Sequence, residues 1–189
     1  DLKHATPATV SRAGILYINE VDIGWRPFME TWGQRRENHT EKSYLPGLFD
    51  KYVEPLVEMT RRGYKEVTSI RLINKVTTII YLLEGLLPTI PEGKLSQESL
   101  ELLFAFCAMW AFGGPMIVDK SGDYRKKFSE DFASLFGTKF PKEGECFDYF
   151  YDAEAGEHAM WSAKVPAYVP VNIGNKVGES PFSSLFVET

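Results

Sequence analysis

Arg12 is the residue through which this sequence offers chemistry. It lies in the stretch Thr6 to Ile18, TPATVSRAGILYI, where a short helix, a lone guanidinium and an apolar run follow one another within a few turns of chain. Thr6 is a suitable N-cap, and Pro7 suits the first helical position, where its missing N–H costs nothing. Arg12 falls in the last turn, and Gly14 is placed to end the helix in the left-handed conformation. Ile15-Leu16-Tyr17-Ile18 then reads as a strand covered on both faces, as in a parallel sheet under helices. Two readings of Arg12 follow. A cation at a helix C-terminus complements the backbone dipole for about 0.3 to 1 kcal/mol. A guanidinium on a rigid sheet rim can instead be presented to a phosphate on a neighbouring module, where a transition-state contact is worth about 10³ to 10⁵ in rate. Local pattern does not choose between them.

Other candidate groups assemble less. Glu98, Glu101, Asp119 and Asp123 could serve as acid–base residues, but carboxylates at helix starts are mostly dipole partners. The two cysteines, Cys107 and Cys146, are few, and Cys107 sits in the apolar run FAFCAMWAF, so inert thiols in a reducing compartment are expected. His4, His39 and His158 share no ligand spacing with either thiol, and no metal site is expected. The sequence contains no GxxxxGK[ST] phosphate loop, no GxSxG and no HExxH, so it should not hydrolyse nucleotide alone. A formal charge of −5 without a dense basic run argues against nucleic acid as a partner. Arg35-Arg36 and Arg125-Lys126-Lys127 read as solvated helix faces. No apolar stretch reaches membrane-spanning length, and no membrane partner is expected.

The elements that must position Arg12 are mostly helical. A length of 189 residues with 44% hydrophobic residues allows one domain with an ample core. After a loop over Asn19 to Pro27, Phe28, Met29 and Trp32 are expected to share the inner face of a short helix, with Trp25 and Trp32 as packing anchors. A polar connector, Gln34 to Ser43, should lead to a helix carrying Leu45, Leu48, Phe49, Tyr52, Val53, Leu56 and Met59, kinked at Pro55 and ended by Gly63. Ser69 is expected to cap a third helix with the stripe Leu72, Ile73, Val76, Ile79, Ile80, Leu83 and Leu87, stopped by Pro88. Ser96 should cap a fourth through Trp110, apolar all round and therefore central, and Gly113-Gly114-Pro115 should end it. A fifth spans about Tyr124 to Phe136. Beyond Gly137 the alternation Phe147, Tyr149, Tyr151, the turn Ala153 to Gly156, and Met160-Trp161 predict a β-hairpin. Pro166 to Pro181 reads as a linker. The strand Ile15 to Ile18 has no βαβ partner in the chain, so its sheet neighbours are expected upstream of Asp1, in a longer polypeptide.

His4-Ala5-Thr6-Pro7-Ala8-Thr9-Val10-Ser11-Arg12, with RAGILYIN after it and Asp22-Ile23-Gly24-Trp25, Pro27 and Trp32 behind, resembles the second AAA+ module of dynein heavy chains. The agreement continues in LFDKYVEP, YLLEGLL, MWAFGGP and the FDYFYD hairpin with Trp161, and covers essentially the whole chain. The wording RAGILYIN, where RCGM is common in the family, is similar to ciliary outer-arm chains of the beta and gamma kind. The resemblance implies a mainly α fold: an AAA+ lid-type helical bundle with one strand of a truncated α/β sheet and a β-hairpin near the C-terminus. Its divisions would be 1–36, the end of the large α/β subdomain; 37–137, the helical lid; 138–165, the hairpin; and 166–189, a linker toward the next module.

The same resemblance implies that Arg12 is an arginine finger acting in trans on ATP held by the preceding module. Arg71 is the candidate for a second, lid-borne arginine; it is offset from the expected place, where Ile73 or Asn74 falls, and should be exposed rather than phosphate-bound. The second module would then bind nucleotide without hydrolysing it efficiently. ATP or ADP with Mg would belong to neighbouring modules or to the chain's own module within the parent protein, with none bound by these residues alone. Neighbouring AAA+ modules, other dynein chains and, through the parent chain, the microtubule are the implied partners, in the axoneme of cilia and flagella. A helical interaction scaffold is the alternative, but it gives Arg12 and the orphan strand no role.

Overall fold

A computed structural model describes residues 4–12, 23–141 and 143–166, apart from the side chains of Arg12 and Thr138. Helix α1 is Pro7–Arg12. Thr6 caps it as expected: its carbonyl accepts from the Thr9 and Val10 amides at 2.9 and 3.0 Å, and its hydroxyl from the Thr9 amide at 3.3 Å. Gly14 and the strand expected over Ile15 to Ile18 lie outside the described residues, as does the linker from residue 167 onward.

Helix α2, Arg26–Gln34, carries Pro27 in its first turn. Trp25, Met29, Trp32 and Gly33 form its inner stripe, spaced by four, three and one residues. Phe28 lies off that stripe by one residue and is 41% exposed, contrary to its expected inward position. The polar connector is shorter than expected, because α3 begins at His39 and runs to Thr60. The Asn38 side chain accepts from the Thr40 and Glu41 amides at 2.9 and 3.3 Å, so a sufficient cap stood in the sequence. The helix continues through both Pro46 and Pro55, which take the in-helix donor from the Lys42 and Lys51 carbonyls. Buried Leu45, Phe49, Tyr52, Val53 and Leu56 hold it in place.

Helix α4 is Leu72–Leu86, with its N-cap at Arg71 and no side-chain cap. Ser69 is therefore not the cap: it stands too early, and Glu66 instead accepts from the Ile70 amide at 3.2 Å. Helix α5, Gln97–Gly113, starts at Ser96 with a reciprocal box to Ser99 and is buried along most of its length, forming the centre of the bundle. A small antiparallel hairpin that the periodicity did not signal follows, β1 (Val118–Asp119) and β2 (Gly122–Asp123), and a bridge from Glu66 to Met116 ties it to the α3–α4 connection. Helix α6, Tyr124–Phe136, is capped by Asp123, whose side chain accepts from the Lys126 amide at 2.9 Å.

The C-terminal hairpin pairs β3 (Tyr149–Asp152) with β4 (Glu157–Met160). Its aromatics do not alternate as expected. Tyr149, Phe150 and Tyr151 are all buried, since one face packs on α5 and the other is covered by Trp161, whose ring lies 4.8 Å from that of Phe150. Phe147 precedes β3 and Trp161 follows β4, each in a single 3₁₀ turn.

One file of touching rings crosses the domain. Trp25 and Trp32 meet Phe49 at 6.2 and 6.1 Å, and Phe49 meets Phe104 at 5.0 Å. Tyr52, Phe136, Phe132, Phe140 and Tyr149 continue it to the hairpin, with the closest pair, Tyr52 and Phe136, at 4.2 Å. The file mixes stacked pairs, such as Tyr52 on Phe136, with tilted and edge-on ones, such as Phe49 against Phe104, and such pairs contribute beyond the area they bury.

Candidate functional site

The two arginines singled out in the sequence stand at opposite kinds of helix end. Arg12 is the last residue of α1; its side chain lies outside the described residues. The helix that carries it is short: Thr6 caps its start, and within it the Ser11 hydroxyl donates to the Ala8 carbonyl at 3.1 Å. Arg71 is the N-cap residue of α4 and is exposed, as expected. The described residues therefore keep the two on separate elements.

A cleft of about 240 Å³ opens beside the start of α4, lined among others by Thr60, Arg61, Ser69, Lys75 and Phe112. Lys75 is buried, donates to Glu66, and lies 5.1 Å from the Phe112 ring centre. Glu66 accepts also from the Ile70 amide. Lys75 thus has its charge partnered by Glu66 within the lining of the cleft.

Other charges are engaged in the same way. Glu101, on α5, accepts from Lys51 at 2.7 Å and from the Tyr52 hydroxyl at 2.6 Å, bridging α5 to α3. Burial pushes its carboxyl up, but the Lys51 and Tyr52 bonds prevail and hold it below the usual range; Lys51 is raised to about 12 by the same bond. Asp119 is held well below the carboxylate range by Lys65 and Ser121. Asp123 caps α6 and Glu98 lies in the first turn of α5, both in the helix-start role expected of them. Burial pushes the Cys146 thiol up to about 12 and Cys107 higher still, so neither is a nucleophile. Among the described residues no group of histidines, cysteines and carboxylates can hold a metal ion, and no helix is long and apolar enough to cross a membrane.

The basic clusters depart from a purely solvated reading. Arg36 donates to Glu41 at 2.7 Å and stands 5.5 Å over the Trp32 ring, while Arg125 stands 4.4 Å over Phe147. Lys127 forms an (i, i+4) pair with Asp131 at 2.7 Å. The residues that sequence reasoning missed are carboxylates: Glu54 accepts from the Trp25 indole at 3.2 Å and Glu84 from the Trp32 indole at 3.0 Å. A buried indole N–H requires an acceptor, which was the available signal, but the partner's identity depends on how the helices pack.

Residues 45–163, from inside α3 to the turn after β4, match the family model described as the dynein heavy chain AAA lid domain. The chain belongs to the dynein heavy chain family. It is 45% identical over 170 residues to human dynein axonemal heavy chain 17 and 46% identical over 169 residues to the ciliary dynein beta chain of Tripneustes gratilla, each alignment covering 88% of the chain. It is 38% identical to the flagellar outer-arm dynein beta chain of Chlamydomonas reinhardtii over 98% of its length. The chain spans about 4% of the length of these relatives. The dynein lid match accordingly takes in α3 to α6 and the C-terminal hairpin, the parts that share one core.

Proposed function

We propose that the chain is the end of the large subdomain, the lid and the exit hairpin of the second AAA+ module in the ATP-driven ring of an axonemal microtubule motor. In this reading Arg12 acts as an arginine finger in trans on ATP held with Mg by the preceding module, and the helical bundle couples nucleotide state to ring motion. The neighbouring modules of the same heavy chain, other dynein chains and, through the parent chain, the microtubule are the partners. Arg71, exposed at the head of α4, is the second candidate for contact with nucleotide of the chain's own module. Lys75, one turn further along α4, is paired with Glu66.

The observation that supports this best is the pairing of a dynein lid with a capped, proline-led helix that stops at an arginine. A guanidinium delivers charge and bidentate donors to a transferring phosphoryl group, and Arg12 stands at the end of a helix capped at Thr6. The chain supplies positioning and charge; the nucleotide-bearing loop belongs elsewhere in the ring. Arg12→Ala in the intact heavy chain should lower microtubule-stimulated ATP turnover by about 10³- to 10⁵-fold. Circular dichroism of the variant should match that of the unaltered motor. Turnover within a few-fold of the original would remove the finger assignment.

A further inference from the structure

We propose that the end of the bundle where α3 and α6 meet the β1–β2 hairpin is a docking surface for an acidic protein segment. Charge is divided unequally along the bundle. Residues 58–75 and 113–131 carry nine lysines and arginines against six carboxylates, in a chain whose formal charge is −5. The other end is the reverse: residues 84–101 hold four glutamates and one lysine, and residues 143–157 hold six carboxylates and no cation. Lys94 joins these two acidic stretches by donating to the Glu154 carbonyl at 2.6 Å. The polarity of the domain is thus a tertiary property, with the cations gathered where α3 ends and α6 begins.

Contacts within the fold make this one surface. Lys127 lies 3.8 Å from the Tyr64 ring centre, and the Tyr64 hydroxyl donates to Asp131. Lys65, next in sequence, pairs with Asp119 of β1, and Lys120 follows at the turn into β2. The backbone holds the arrangement, since the Val67 amide donates to the Pro115 carbonyl at 2.9 Å and the Ile117 amide to the Lys65 carbonyl at 3.2 Å. The pairs Arg61–Glu58, Lys65–Asp119 and Lys127–Asp131 stay partly in water and hold their cations weakly. Arg62, Lys120 and Lys126 are exposed and form no ion pair among the described residues. Val67 and Val118, 76% and 62% exposed, stand in the same loops. Unpaired cations beside bare valines fit a segment in which carboxylates are interspersed with apolar side chains, and the charge would also speed its capture. A phosphate-rich partner fits less well. Asp119, Asp123, Glu130 and Asp131 are set among the cations and would repel a dense row of phosphates, and valines lack the aromatic and leucine bulk that enters a bilayer. The proposal makes no use of Arg12.

Two experiments on the intact heavy chain test it. Zero-length carbodiimide cross-linking of the motor in isolated axonemes, read by mass spectrometry, should join Lys120 or Lys126 to a carboxylate outside residues 1–189. Cross-links from these lysines to carboxylates within residues 1–189 alone overturn the proposal. In fluorescence anisotropy, a labelled peptide in which glutamates alternate with valines should bind the heavy chain. The triple variant Arg62→Glu/Lys120→Glu/Lys126→Glu changes only exposed side chains and should weaken that binding by about tenfold or more. The pair Val67→Ser/Val118→Ser should weaken it by a few-fold, and the glutamine counterpart of the peptide should not bind. A triple variant that binds the peptide as tightly as the original overturns the proposal. So does a duplex oligonucleotide or a phosphatidylserine vesicle that the original chain binds more tightly than the peptide and the triple variant releases, because the cations then serve a phosphate surface.

Discussion

Two glycines within helices should respond in opposite directions to the same substitution. A Cβ on Gly113, at the end of α5, would stand 2.7 Å from Cδ1 of Phe128 and 2.8 Å from Cζ of Phe147. Phe128 is fully buried and stacked on Phe132 and Phe147, so its ring has no free direction in which to retreat. Overpacking of this kind costs about 1 to 3 kcal/mol, and the helix-propensity gain at a last helical residue offsets only a few tenths of it, roughly. Gly47 lies in the interior of α3, is exposed, and has nothing within 4 Å of its Cβ position. There the alanine should stabilise by about 0.5 to 1 kcal/mol through backbone entropy alone. For a chain of this size, 1 kcal/mol moves Tm by about 2 to 4 °C. Gly113→Ala should therefore lower Tm by about 2 to 10 °C, and Gly47→Ala should raise it by about 1 to 4 °C. Paired thermal melts of the 189-residue chain, followed by far-UV circular dichroism, read both signs at once. A neutral or stabilising Gly113→Ala would refute the close packing of α5 on α6 from which the magnitude is worked.

Ser96→Ala removes the acceptor for the Ser99 amide and should destabilise by about 1 kcal/mol in urea titration. Glu66→Ala strands Lys75 in a buried position and should lose about 3 kcal/mol, whereas Glu66→Leu with Lys75→Met should recover most of it; equal losses in the two would refute the buried pairing. His158, half-buried with Nε2 3.0 Å from the Leu102 carbonyl, has its pKa pushed down to about 4, chiefly by burial. Its folded pKa lies below the unfolded value, so the stability it carries is present above about pH 6.5 and declines as pH falls toward 4, by up to about 3 kcal/mol. Urea titrations across that window should show the decline, and His158→Leu should flatten it. Cys107 and Cys146 should be silent to an aromatic disulfide reagent in the folded chain and should both react once it is unfolded.

Helix identity was legible wherever a stripe of apolar residues repeated at helical spacing, as in α4 and α5, because burial against neighbours selects that period directly. Starts were legible where a short polar side chain stood at the boundary, as at Thr6 and Ser96, and misread at Ser69, where a glutamate from the preceding loop does the bonding instead. The hairpin at Val118 to Asp123 is too short to carry a period, and the three consecutive buried aromatics of β3 broke the alternation because both faces are covered. Of the candidate site, the inertness of both thiols followed from residue type and surroundings, whereas exposure at Arg71 was implied by its offset from the family's pattern. The pairings Trp25–Glu54, Trp32–Glu84 and Lys75–Glu66 join residues 29, 52 and 9 positions apart. Only the tertiary arrangement of the helices decides them.

The file of rings from Trp25 and Trp32 to Tyr149 contains no aliphatic gap and no hinge, since each ring centre lies within 6.2 Å of the next. Interiors packed in this manner compress very little. Strain placed on the tryptophan end of the bundle is therefore passed along this file toward the hairpin rather than absorbed within it.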